Sequence, residues 1–504
     1  MSRVLGAALV GVDGVAVEVE VRISSLLPRV DIVGLPEAAV RESGARVRAA
    51  IAAVGHSFPD RRVTVNLAPA GVRKSGAGLD LPIAIGILAA SAALDGERLD
   101  GLGLVGELAL DGRLRPVHGA LALALAARDA GCRRFIVTAG NGPEAALTPG
   151  LEVLVARDLR EVVAHLQTGA PLPRATAARL DGSQESTPDL SEVRGQERAK
   201  RALEIAAAGS HALLLRGAPG CGKTMLARRL RGLLPGLDFD EALEVTRVHS
   251  AAGHIREGEA IAATRPFRAP HHTASTAGLL GGGNPPRPGE VSLAHRGVLF
   301  LDELPEFERR SLEALRQVVE QRQVAVARAR ISCVFPADFM LVAAANPCPC
   351  GWRGSGVRDC RCDDAAVARY AARISGPLLD RIGLHVAVTP VAWRDLEAPP
   401  TGANSGDVGA RVLAARRVQE RRGAELRLRG NAEIPDACLD TLVDATPEAR
   451  ALLGRAVERL GLSARAAHHV LRVARTVADL AGEKRTGPPA VAEALGYRDD
   501  TAPA

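Results

Sequence analysis

The segment GAPGCGKT, Gly217 to Thr224, puts glycine, lysine and threonine at every fixed position of the pattern G-x-x-x-x-G-K-[ST]. Residue types in this order suit the cradling of phosphates. The glycines free backbone N–H groups to face an anion at a helix N-terminus, and Ala218, Pro219, Gly220, Cys221 and Gly222 fill out the loop. Lys223 then brings charge to the β and γ phosphates, and Thr224 brings a hydroxyl to magnesium. ATP and Mg2+ are therefore the expected cofactors. Of the 64 basic residues only Lys74, Lys200, Lys223 and Lys484 are lysines, so a lysine in the required slot is informative.

Three downstream segments carry groups that such a loop needs. GVLFLDE, Gly297 to Glu303, is an apolar run ending in two acids, with Asp302 expected to hold magnesium and Glu303 to polarise the attacking water. FMLVAAAN ends on Asn346, a polar group placed to position that water and sense the γ-phosphate. ISGPLLDRIGLHV sets Arg381 between a short helical stretch and an apolar strand. Arg381 is the candidate arginine finger, reaching a neighbouring subunit's γ-phosphate, with Arg373 as its competitor.

NPCPCGWRGSGVRDCRC follows Asn346 directly and contains four of the eight cysteines, Cys348, Cys350, Cys360 and Cys362, as two Cys-x-Cys pairs. Four thiolates satisfy tetrahedral zinc, and the glycine-rich interval can fold back to join the pairs. The alternative is a set of reduced thiols in a loop. Because the cluster lies between Asn346 and Arg381, a closed zinc site here would stiffen the connection between two parts that register the same phosphate.

These groups need parallel strands and helices to hold them. With 504 residues, 47% hydrophobic and 24% charged, the chain is expected to fold as several globular domains rather than to be disordered. Residues 1–165 alternate strand-like runs (VAVEVEVRI, RRVTVNLAP, RRFIVTAG, LEVLVA) with alanine-rich helical runs, an α/β or α+β pattern. A linker is expected over 166–190, an α/β core over 191–395 opening with a helix capped by Ser191, a second linker over 396–410 and a helical domain over 411–495. The N-terminal run reads as a strand, not a signal peptide, and LPIAIGILAASAAL as a buried helix too short for a bilayer. A cytoplasmic location away from membrane is expected, with reduced cysteines. The net charge of +6 permits a nucleic-acid partner without demonstrating one.

FRAPHHTASTAGLLGGGNPPRPGEVSLAHRGVLFLDELPEF, the NPCPCG and ARISGPLLDRI segments, and LSARAAHHVLRVARTVADL resemble the magnesium-chelatase-like AAA+ ATPases, in particular the ComM/YifB group, over essentially the whole chain. The resemblance implies an α/β multidomain fold: a Lon-protease-like α+β N-terminal domain, an AAA+ P-loop α/β core and a C-terminal helical lid. It also implies a ring, expected to be a homohexamer, and assigns Arg465 as the lid arginine called sensor two. The stretch from Thr264 to Arg296 matches the insert of this clade. Its four arginines and three histidines against one acid, Glu290, suit a loop facing a polyanion, or equally a glycine-rich surface loop. GELALDGRLRPVHGALALALAARDAGCRRFIVTAGN resembles the Lon segment that carries a catalytic lysine, but the matching position here is Leu121. Lys74 is adjacent to Ser75, so in an extended segment the two side chains point to opposite sides. The implied first domain keeps the fold without the protease, and binds DNA or stacks the ring, as in the related domain of RadA.

The resulting expectation is an ATP-driven ring motor on single-stranded or branched DNA. Its task would be that of a helicase or branch-migration factor integrating incoming DNA during natural transformation. The segment RVLAARRVQERRGAELRLRG adds seven arginines against two glutamates. The alternative from another class is a chelatase-like motor or chaperone-type regulator remodelling a protein partner.

Overall fold

The computed structural model describes residues 1–74, 76–177, 187–255, 261–262, 264–283, 285–328, 331–397 and 402–498. Ser75 and parts of the expected linkers 166–190 and 396–410 lie outside the described residues.

Alternating apolar residues build the first sheet. In β2 (Asp13–Ser24), Val17, Val19 and Val21 face one way and are wholly buried, while the glutamates between them stay partly exposed. β2 pairs antiparallel with β1 (Ser2–Val10) across a tight turn. The other strands are β3 (Arg29–Val33), β4 (Arg62–Ala68), β5 (Leu102–Leu104), β6 (Arg134–Thr138) and β7 (Glu152–Ala156). Their order is β3-β4-β2-β1-β5-β6-β7, with β5, β6 and β7 parallel to β1. Helix α1 (Asp80–Ala90) lies over this sheet with Leu81 to Leu88 buried, as expected for the apolar run. Among the described residues no helix is long and apolar enough to cross a membrane. Lys74 is buried, its ammonium donates to Pro69 O, and burial lowers its pKa. Helix α2 (Ala120–Asp129) covers the other side of β1 and β2.

The second sheet is wholly parallel, in the order β9-β10-β13-β8-β14: β8 (Leu213–Arg216), β9 (Phe267–Arg268), β10 (Val298–Leu301), β13 (Met340–Ala345) and β14 (Leu384–Ala387). Every residue of β10 and β13 is buried, because helices cover both faces and neither strand is an edge. Those helices are α3 (Glu197–Gly209), α4 (Lys223–Leu230), α5 (Phe239–Ala251) and α6 (Arg309–Gln321). An antiparallel hairpin, β11 (Gln323–Arg328) and β12 (Ile331–Pro336), stands between α6 and β13. The expected Ser191 cap is corrected. Ser191 sits in a separate turn whose backbone Asp189 holds, and α3 begins only after Gly195 and Gln196 reverse the chain in the left-handed region. Apolar spacing carries no sign of that reversal.

Beyond the sheet, α7 (Asp364–Ala371) leads back toward β14, and the longer helices that follow are α8 (Ser405–Arg422), α9 (Pro447–Leu460), α10 (Ala464–Leu480) and α11 (Pro488–Gly496). α8 starts at Ser405, with the Asn404 side chain accepting from Asp407 N at 2.8 Å. α8 and α10 pack on α3, where Arg416 donates to Ala207 O and His211 meets Thr476 Oγ1 at 2.7 Å.

The first sheet's unit docks on the second. Gly119 N donates to Ser250 Oγ at 2.9 Å, Arg247 pairs with Asp13 at 3.2 Å, and Val12 packs against the hairpin core of Cys333 and Phe335. Leu121, fully buried, joins Leu147 of its own unit with Ala242 and Ile261 of the other.

Candidate active site

Because β8, β10 and β13 are parallel and adjacent, their C-terminal ends meet at one edge. The register pairs Arg216 with Ala345 and Leu301 with Ala343, so the residues that follow each strand converge there. After β8 the chain turns through Gly220 (φ +77°) and Gly222 (φ +95°), backbone conformations that suit glycine, and α4 starts at Lys223. Gly217 touches the Val388 carbonyl so closely that a Cβ would overlap it.

The Lys223 ammonium spans this loop, donating to Gly217 O at 2.7 Å, Ala218 O at 2.9 Å and Asn346 Oδ1 at 3.0 Å. Burial lowers its pKa, with the nearby Cys221, Asp302 and Glu303 opposing. Thr224 Oγ1 donates to Asp302 Oδ2 at 2.7 Å. A hydroxyl beside a carboxylate at the foot of a glycine loop is the oxygen-donor set that magnesium with phosphates takes, so the residues present fit both. Glu303 occupies the left-handed region (φ 52°), an uncommon state for a non-glycine, and its carboxylate lies 3.1 Å from His272 Nδ1. The His272 ring lies 4.1 Å from that of His271 between centroids, tilted by 34°, and meets Phe307 edge-on.

The expected arginines lie elsewhere. Arg381 donates to Pro377 O at 2.6 Å and to Glu320 Oε2 at 2.5 Å, and Arg465 takes the other oxygen of the same carboxylate at 2.9 Å. Both line a cavity of about 480 Å³ together with Arg296, Arg322, Arg429 and Asp338, and no residue of the phosphate loop borders it. Within one chain, then, Lys223, Thr224, Asp302 and Asn346 come together, while Arg381 and Arg465 form a second group organised by Glu320. Arg373, the competitor, pairs with Glu306 at 2.7 Å.

The insert's positive charge is largely spent internally. Arg265 pairs with Glu241 and Arg268 with Glu290, each at 2.7 Å; Arg296 pairs with Glu244 and Asp338, and His295 with Glu244. In the arginine-rich helical segment, Arg411, Arg416, Arg422 and Arg429 are likewise held by partners, leaving Arg417, Arg421 and Arg427 exposed. Sequence reasoning missed His272 and Glu320. The His-His doublet was a usable signal for the first; an acid on an amphipathic helix gave none for the second.

The cysteines meet after β13. Cys348 Sγ is 3.4 Å from Cys350 Sγ and 3.6 Å from Cys360 Sγ, Cys350 to Cys360 is 3.6 Å, and all four sulfurs including Cys362 lie within 4.8 Å of one another. These four residues could hold a metal ion. Backbone N–H groups of Trp352 and Arg361 pull the Cys350 thiol down to about 6, whereas Cys360 is pushed up to about 12, against a backbone N–H from Cys362, by desolvation and its sulfur neighbours. Gly351, in the left-handed region (φ +82°), rests on the phosphate loop: a Cβ there would lie 2.6 Å from Pro219 Cδ.

Family comparison gives three matches: "Subunit ChlI of Mg-chelatase" over 19–141, "Magnesium chelatase, subunit ChlI" over 189–396, and "Magnesium chelatase, subunit ChlI C-terminal" over 402–498. Competence protein ComM of Haemophilus influenzae is 44% identical over 504 residues, spanning 99% of this chain and 97% of that protein. YifB of Escherichia coli is 44% identical over 503 residues, again 99% and 97%. The magnesium-chelatase 67 kDa subunit of Chlorobaculum parvum is 29% identical over 206 residues, 40% of this chain and 27% of that protein. The AAA+ character of the family, which implies ATPase activity, agrees with the loop and acids described above. By matches that run from the first sheet to the last helices, the chain belongs to the magnesium-chelatase ChlI-like AAA+ family, alongside ComM and YifB.

Proposed function

We propose that this protein is an ATP-hydrolysing ring motor, with a homohexamer as the expected assembly, that moves along single-stranded or branched DNA. Its task would be that of a helicase or branch-migration factor in the integration of incoming DNA. The observation that carries the reading is the meeting of Lys223 with Asn346 and of Thr224 with Asp302 at one sheet edge. The name of the relative ComM supplies the link to competence.

In this reading the backbone of Gly217 to Gly222 orients the phosphates and Lys223 neutralises their charge. Thr224 and Asp302 would hold the magnesium ion, which supplies further charge compensation when bound. Glu303 accepts a hydrogen bond from the attacking water, and Asn346 holds that water in line. His272 restrains the Glu303 carboxylate, so its release adjusts when the base is free to act. Arg381 and Arg465, remote from their own chain's loop, reach the γ-phosphate of a neighbouring subunit, which makes assembly a condition of turnover. The cysteines hold a structural zinc ion. The first unit serves as a non-proteolytic, Lon-like platform for ring stacking or DNA, a role supported by the burial of Leu121 within the contact to the ATPase unit.

The test is ATPase activity of the full chain with single-stranded or forked DNA, and movement of a labelled Holliday junction with hydrolysable ATP only. DNA stimulation supports the reading. The magnesium-chelatase family matches favour a second one, a motor that remodels a protein partner. ATPase activity indifferent to DNA but raised by a protein partner would replace the first reading with the second.

A further inference from the structure

Two contacts tie the phosphate loop to the segment that follows β13. Lys223 Nζ reaches Asn346 Oδ1 at 3.0 Å, and Pro219 lies against Gly351, with no room for a Cβ between them. Cys348 and Cys350 fall between or beside these two contact points, and Cys348 is fully buried. The polypeptide from Asn346 to Gly351 forms neither helix nor strand, and the sheet does not fix its path. What does fix it is the return of Cys360 and Cys362 to the first cysteine pair, across an interval that is glycine-rich and carries no helix or strand.

Four thiolates around one tetrahedral zinc, each about 2.3 Å from the metal, stand about 3.8 Å apart. The separations of 3.4, 3.6 and 3.6 Å among Cys348, Cys350 and Cys360 come close to one face of that tetrahedron, and all four sulfurs lie within 4.8 Å of one another, close enough to share a single ion. An all-sulfur tetrahedral set selects zinc or iron chemistry over magnesium or calcium, and with four protein ligands no position stays open for a substrate.

We propose that zinc bound by Cys348, Cys350, Cys360 and Cys362 sets the nucleotide affinity of the site, by fixing the Asn346–Gly351 segment against Lys223 and Pro219. The proposal rests on the ATPase and zinc readings above and adds a coupling between the two ligands. Such coupling is reciprocal: zinc raises affinity for ATP, and ATP raises affinity for zinc by the same factor. Loss of the metal to a chelator then turns the motor down at its binding step.

The experiment measures metal content by plasma mass spectrometry and nucleotide affinity by fluorescence of a labelled ATP, on the full chain and three variants. Wild type should carry about one zinc per chain. Cys360→Ser should lose the zinc and weaken nucleotide binding about tenfold or more, while Cys438→Ser, outside the cluster, should change neither. Gly351→Ala separates coupling from folding. It leaves every sulfur in place but pushes a methyl group into Pro219, so it should keep its zinc and still bind nucleotide more weakly. In wild type, a non-hydrolysable ATP analogue should slow transfer of zinc to a chelator. Nucleotide affinity unchanged in zinc-free Cys360→Ser, or in Gly351→Ala, would overturn the coupling. Iron in place of zinc, or less than about a third of a metal ion per chain, would overturn the site. Zinc-loaded wild type that binds no nucleotide would instead remove the ATPase reading beneath it.

Discussion

Glu303 shows how much of a site's behaviour sits in one residue's surroundings. Its backbone lies in the left-handed region and its carboxylate is turned toward His272, 3.1 Å away, rather than toward the Lys223 ammonium. A carboxylate held this way can leave its histidine without disturbing the loop. Replacing Glu303 by Gln removes the charge that polarises water but leaves Lys223, Thr224 and Asp302 untouched. ATP binding should therefore persist, and the hydrolysis rate should fall by about two orders of magnitude or more. Normal turnover in that variant would refute the role assigned to Glu303, and loss of ATP binding would place it in the binding machinery. The phosphate loop and the acidic strand end were legible from sequence because their chemistry depends on residues close together in the chain. His272 stands in the insert, well before Glu303, and only the fold brings the pair into contact.

Among the elements, α10 carries the most concentrated polar burial. Asp479 has no exposed side-chain surface and accepts from Arg422 at 2.7 and 2.8 Å, from Arg475 at 3.1 Å and from Asn431 at 2.8 Å, so one carboxylate joins α8, α10 and the turn that follows α8. Asp479→Ala would leave two buried or half-buried guanidinium groups facing each other without a counter-charge. The expected cost is about 3–5 kcal/mol, seen as a lowered unfolding midpoint in denaturant; a change under about 1 kcal/mol would contradict this account of the network. Strands and helices of this kind were readable in the sequence, since GVLFLDE, DFMLVAAAN and the Leu81 run are long apolar stretches with turn residues at their ends. The insert was harder. Its arginines looked unpartnered because Glu241, Glu244 and Asp338 lie outside the insert itself, and the expected excess of charge toward a polyanion shrinks once those pairs form.

At the scale of the molecule, the separation of the Lys223 group from the Glu320-held arginines makes each chain half of a proposed catalytic unit. Arg381→Ala should bind ATP yet fail to hydrolyse it in a uniform ring. Mixing that protein with Glu303→Gln subunits should restore part of the activity, since an intact loop then meets an intact arginine at some interfaces; no recovery would rule out action between subunits. Acid stability offers a second test. His211 and His385 are held down to about 3 from an ordinary 6.5, first by burial and then by the arginines beside them. As pH falls below about 6.5, the unfolded chain binds protons that the folded chain refuses, so each histidine removes about 1.4 kcal/mol of stability per pH unit until the pH nears 3. A melting temperature that stays level between about pH 7 and pH 5 would contradict this.

Gly119 on Ser250, Arg247 on Asp13, Leu121 among Ala242 and Ile261, and Val12 against the hairpin together make a contact that does not depend on the peptide chain running between the units. A protease site engineered into residues 166–190 should therefore yield two fragments that still migrate as one species, and Leu121→Arg should let them part. The covalent connection is then a convenience of synthesis: what keeps the halves of this machine in step is a clasp of side chains, and the hairpin that leads into β13 cannot shift without carrying the first unit along.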